Sequence, residues 1–169
     1  MARGNVSVKG INGGNQEFRV AASATRGYSG DPVNNLAAYT NGVADTNTCV
    51  VLTDAKPRIG TDQFVGVERT DMAVNSAGTV TASKFFATVP IPFVTRLSAN
   101  LQTVASMDTD TELLGLLWDY IDFNLAAGVY TLAQTAASDA SGLIFRNGDI
   151  VLGTADVVVD PRCMRADTS

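Results

Sequence analysis

The sequence predicts an all-β protein, an antiparallel β-sandwich or barrel with an extended N-terminal arm and at most one short helix. Short β-branched and aromatic runs recur along the chain, divided by turn residues at a spacing of roughly 8 to 12 residues. Only one helix start is visible, at Thr109-Asp110-Thr111-Glu112. The composition is 46% hydrophobic but only 17% charged, below the usual quarter, which suits a surface spent on contacts rather than on solvation. A chain of 169 residues suits one domain with an arm: residues 1–16 as the arm, 17–169 as the β-rich domain.

Residues 1–16, MARGNVSVKGINGGNQ, are rich in glycine and asparagine and hold only Val6, Val8 and Ile11 as apolar anchors. Such a segment is too poor in apolar residues to build its own core. It is expected to order on a partner surface as an added strand. Regular structure starts at Phe18-Arg19-Val20-Ala21. The stretch from Gly27 to Val67 reads as strand, loop, strand, loop, strand, with Cys49-Val50-Val51-Leu52 and Gln63-Phe64-Val65-Gly66-Val67 as its clearest β runs. Asp54-Ala55-Lys56-Pro57 ends the first of these, because proline removes a donor and turns the residue before it away from helix. Gly66 inside the second predicts a bulge or a close backbone approach.

Further on, Gly78 to Ala82 and Lys84 to Val89 read as strands, Pro90-Ile91-Pro92 as a corner, and Phe93 to Leu97 as a strand again. Thr109 and Glu112 have capping-box spacing and start a short helix that Gly115 weakens. Alternation of Ile121, Phe123 and Leu125 with Asp122 and Asn124 then predicts a strand, turning through Ala126-Ala127-Gly128 into Val129 to Leu132. One helix from Asp110 to Leu125 is the competing reading. Near the end, Asn147-Gly148 predicts a tight turn between Leu143–Phe145 and Ile150–Leu152, followed by Asp156 to Val159 and a stop at Asp160-Pro161.

Charge and residue types narrow the chemistry. The net charge is −5, yet residues 1–27 hold Arg3, Lys9, Arg19 and Arg26 against Glu17, so a basic start precedes an acidic body. The body lacks the clustered Lys and Arg that phosphate neutralisation needs, which argues against nucleic acid. There is no histidine, which removes His-based catalysis and the usual zinc sites. Cys49 and Cys163 are far apart in sequence; Cys49 reads as a small core hydrophobe, and a disulfide between the two is left open. Asp108, Asp110 and Glu112 alternate like the start of a calcium loop, but the sixth position is Leu113 rather than the glycine the loop requires, so helix capping explains them better. Asp119 and Asp122 have no aromatic cleft in the sequence to make them a glycosidase pair. The opening MARGNVSVKG holds no apolar signal core, and the longest hydrophobic or glycine run, Leu113 to Trp118, is too short for a bilayer. The expectation is therefore a non-enzyme with no cofactor, no metal and no membrane.

Five stretches carry a resemblance: MARGNVSVKGINGGNQEFRV, GDPVNN, NGVADTNTCVVLTDAKPRIGTDQFVGV, DTDTELLGLLWD and GDIVLGTADVVVDPRCMRAD. Through them the chain resembles the decoration, or cement, proteins of tailed-bacteriophage heads. The resemblance covers most of the chain. It implies a homotrimer on the outer capsid surface of the virion, assembled in the host cytoplasm, with the major capsid protein as partner. It offers no active-site residues. Arg3, Val6, Val8, Lys9 and Ile11 are the expected capsid-binding residues of the arm, and a host-surface or glycan-binding module is the alternative function.

Overall fold

The computed structural model describes residues 6–20, 27–35, 48–51, 63–81, 83–102, 105–134 and 141–164. After β1 (Ser7–Lys9), the strands β2 (Asn15–Val20), β3 (Pro32–Asn35), β4 (Thr48–Val51), β5 (Gln63–Glu68) and β6 (Ser83–Thr88) close a barrel in the order β2-β4-β3-β5-β6. The strands β7 (Arg96–Leu101), β8 (Tyr120–Ala126), β9 (Val129–Ala133), β10 (Leu143–Asp149) and β11 (Thr154–Val159) close a second ring, β7-β9-β8-β10-β11. The all-β expectation is met, with one α-helix among the described residues, α1 (Asp110–Gly115).

The two rings are the same ring. In each, the first strand pairs in parallel with the third, and every other pairing is antiparallel. The register agrees as well. Arg19 faces Thr48 and Lys84 as Asn100 faces Thr131 and Thr154. Pro32 faces Val67 as Tyr120 faces Ile144, and Asn34 faces Val50 as Asp122 faces Ala133. The molecule is thus a tandem repeat of one five-stranded barrel. Its sequence hides this: the equivalent strands NQEFRV and RLSANL match at no position.

Residues read as an arm are built into the repeat. β1 lies antiparallel on β7, with Val8 opposite Leu97. Val6 is 4% exposed within the larger core cluster, Val8 packs against that cluster, and Lys9 Nζ reaches Asp156 at 2.9 Å. The Val6 amide donates to the Gly30 carbonyl, and Thr95 Oγ1 donates to the Ile11 carbonyl at 2.6 Å. Few apolar residues suffice here because the barrel supplies the core and the segment adds only an edge.

The larger core cluster fills the second barrel with Leu97, Ile121, Phe123, Tyr130 and Phe145, and takes Val6, Phe64 and Val67 from the first half. The smaller one, around Val20, Val33, Met72 and Phe85, fills the first barrel. A bulge in β5 serves both. Gly66 pairs with Val33 and Phe64 with Asn34, leaving Val65 as the extra residue. Phe64 and Val67 therefore join one cluster and Val65 the other. The close approach expected at Gly66 is real, since a Cβ there would lie 2.3 Å from the Thr88 carbonyl oxygen.

α1 begins as the spacing predicts: Thr109 accepts from the Glu112 amide, and the Glu112 side chain accepts from Thr109. The single-helix alternative fails because Trp118 takes φ 74° and the chain enters β8 at Tyr120. The β8–β9 turn falls at Ala127 and Gly128, both at positive φ, as a two-residue hairpin demands.

Three expectations fail. Of the expected strand from Gly78 to Ala82, the described residues 78–81 contribute only an isolated Val74–Val80 bridge, and Ala82 lies outside the described residues. The run from Phe93 enters its strand only at Arg96, because Phe93 is held at φ 59°. Asn147-Gly148 is not a turn: Asn147 pairs with Asp156 and Gly148 with Ala155 inside the hairpin, and the chain reverses at 150–153. Asp149 Oδ1 accepts from the Leu152 amide at 2.8 Å and Gly153 takes φ 63°, so the reversal has its own turn chemistry. Gly148 is required for space instead, since a Cβ there would lie 2.8 Å from Leu113 Cδ1 and 3.1 Å from Phe145 Cζ. Gly66→Ala and Gly148→Val are therefore expected to cost roughly 1–3 kcal/mol each by overpacking. Gly115→Ala, which meets nothing within 4 Å, should match or exceed the parent melting temperature. Thermal melts of the three variants check this.

Candidate functional site

The acidic cluster resolves into local capping. Glu112 Oε2 accepts from the Asp108 amide at 3.2 Å, the Thr109 amide at 3.1 Å and Thr109 Oγ1 at 2.9 Å. Hydrogen bonding to Thr109 holds the Glu112 carboxyl below its ordinary range, and hydrogen bonding to Glu112 raises that of Asp108. Among the described residues, no three Cys, Asp or Glu side chains converge on a metal position. Asp122 is buried and Asp119 is exposed. Cys163 is a free thiol, 0% exposed, and burial pushes it up to about 12, which makes it inert rather than reactive.

Of the expected arm residues, Arg3 lies outside the described residues. Val6, Val8 and Lys9 are engaged within the chain, and Ile11 stands 73% exposed.

The structure brings together an apolar surface that the sequence reading missed. Leu114 on the exposed side of α1 and Leu117 just past its end both stand in solvent. With Leu113, Phe145 and Gly148 they line a groove of about 200 Å³. Trp118 follows, 61% exposed, with the Arg146 guanidinium carbon 3.5 Å from its ring centroid. That stacking fixes the indole in place while leaving it accessible. From Asn147 and Gly148 a polar stretch with Lys9, Asp149 and Asp156 leads to Leu152 on the β10–β11 turn, where Val151 and Leu152 are 95% and 72% exposed. Ile150-Val151-Leu152 reads as a buried strand in sequence; its conversion into a turn is what places these side chains in solvent.

Two further clusters are structural in character. Tyr120 Oη donates to Asp160 Oδ2 at 3.0 Å, and Arg162 donates to Asp160 at 2.7 Å and to the Tyr120 hydroxyl. The Arg162 hydrogen bonds hold the Asp160 carboxyl below its ordinary range. Asp160 also caps the 3₁₀ turn Pro161–Cys163. Glu68, the last residue of β5, is 1% exposed, and neither carboxyl oxygen has a hydrogen-bond partner among the described residues. Burial first, and then the charges of Asp31 and Asp71, push it up to about 8.

No protein-family model matches the chain, and no curated protein is significantly similar to it.

Glu68 sets a pH dependence. Its carboxyl ionises near 4.5 in the unfolded chain and near 8 in the folded one. The folded state therefore loses stability as pH rises through that interval. Melting temperature measured between pH 5 and 9 should fall in the parent relative to Glu68→Gln; parallel curves would show that Glu68 ionises freely when folded.

Proposed function

We propose that this protein is a structural component of a tailed-phage head: a decoration protein that sits as a homotrimer on the outer capsid surface and ties neighbouring major capsid protein subunits together. The observation that carries the reading is the set of exposed large apolar side chains, Leu114, Leu117 and Trp118 in and just after α1 and Val151 and Leu152 on the β10–β11 turn. Several large apolar side chains left in solvent mark a face built to be covered. The low charge fraction and the resemblance to decoration proteins support the same reading. The tandem barrel suits it too, because closed rings limit the free strand edges that would otherwise drive unwanted pairing in a crowded shell.

Contact with the coat is assigned to this surface, with Ile11 as the arm's contribution. Val6, Val8 and Lys9 are spent inside the chain, so deleting residues 1–15 should lower stability as well as binding. The discriminating experiment is co-sedimentation with empty heads that lack the protein. The parent should bind saturably, and Val151→Asp with Leu152→Asp should weaken binding at least tenfold with the melting temperature unchanged. Failure of the parent to bind would overturn the reading. Light scattering should give three times the 17.7 kDa chain mass; a monomer would remove the trimer.

A further inference from the structure

The two barrels differ in one respect that the shared register makes visible. One edge of β7 is covered twice: β9 pairs in parallel with Asn100 and Leu101, and β1 pairs antiparallel with Arg96, Leu97 and Ser98. The equivalent edge of β2 is covered once. β4 pairs in parallel with Arg19 and Val20, the positions matching Asn100 and Leu101. Beside Asn15, Gln16 and Glu17, the positions matching Arg96, Leu97 and Ser98, no strand lies among the described residues. All three are exposed.

The backbone of this gap is aimed outward at alternate residues. The Val89 amide donates to the Gly14 carbonyl, so Gly14, Gln16 and Phe18 turn their hydrogen-bonding groups toward β6. Asn15 and Glu17 turn theirs to the open side. On β7 the same phase holds: Leu101 donates to Gly153 on the β11 side and Gln102 to Leu132 on the β9 side, which points Arg96 and Ser98 at β1. The gap therefore offers the donors and acceptors that β1 satisfies in the second barrel.

We propose that the β2 edge at Asn15–Glu17 is a strand-docking site that takes a short extended segment of another polypeptide, antiparallel to β2, in the way β1 sits on β7. Backbone hydrogen bonds give such a contact its geometry, and the flanking side chains give its preference. On β7, Lys9 of the added strand meets Asp156. The residue in Asp156's position in the first barrel is Phe86, opposite Glu17 and 45% exposed. An apolar side chain is selected where β1 carries lysine.

The test uses the full chain and the peptide Asn-Val-Ser-Val-Val-Gly, which is the sequence of residues 5–10 with Lys9→Val. In amide NMR the peptide should shift Asn15–Phe18 saturably and slow exchange of the Asn15 and Glu17 amides. Glu17→Pro removes one outward donor and the exposed Glu17–Lys84 ion pair but no backbone bond to β6, so it should keep the circular dichroism spectrum and lose the response, whereas Glu17→Gln, which also lacks the ion pair, should keep the response. Phe86→Lys should weaken the valine peptide and favour a version carrying glutamate at that position. No saturable shift at Asn15–Phe18, an undiminished response in Glu17→Pro, or shifts confined to Arg96–Ser98 would each overturn the proposal. Protection of the same amides on concentrating the protein alone would assign the edge to a second copy and overturn it as well.

Discussion

Each half of this molecule depends on a single short parallel pairing. Antiparallel hairpins join neighbouring strands without difficulty, but a run of them leaves two open edges. The rings close only because β2 meets β4 at Arg19 and Val20, and β7 meets β9 at Asn100 and Leu101. Two residue pairs in each barrel convert a sheet into a barrel, and with it bury Val20 on one side and Leu132 on the other. The register of every other strand follows from that closure, because a shift of one residue would turn the core face outward all round the ring.

A barrel of short strands has little interior, and this chain uses each half to complete the other. Phe64 and Val67 reach from β5 into the larger cluster, while Val65, displaced by the bulge, stays with the smaller. Val6 and β1 enter the second barrel from the opposite end of the chain. Glu68 lies at the end of that same β5 strand, buried without a hydrogen-bond partner among the described residues. Its neutral carboxyl at moderate pH is the cost of packing the end of β5 so tightly.

Fold class was legible because closed barrels leave period-two alternation and turn residues in the sequence, and Thr109 with Glu112 announced α1 in full. The repeat was not legible. Register and ring order are set by backbone pairing, which tolerates NQEFRV in one half and RLSANL in the other. Asn147-Gly148 misled for a related reason: turn propensity is a local signal, and packing of Leu113 and Phe145 over Gly148 outweighed it. The apolar surface was hidden by the same error, since a reader who pairs Ile150-Val151-Leu152 into a sheet has already buried it. Val6 and Val8 suit an added strand, as their spacing predicts, but the edge that takes them is β7 of the same chain rather than a partner, because a strand that adds to an existing edge needs only one inward face.

The molecule is built of two barrels in one register, the second completed by β1. Residue-resolved amide exchange in the parent tests this most directly, because Arg96 and Ser98 occupy the same ring positions as Asn15 and Glu17 and differ in having a strand laid over them. Slow exchange at Arg96 and Ser98 with fast exchange at Asn15 and Glu17 is the predicted result. Equal exchange at the two pairs of positions would contradict it.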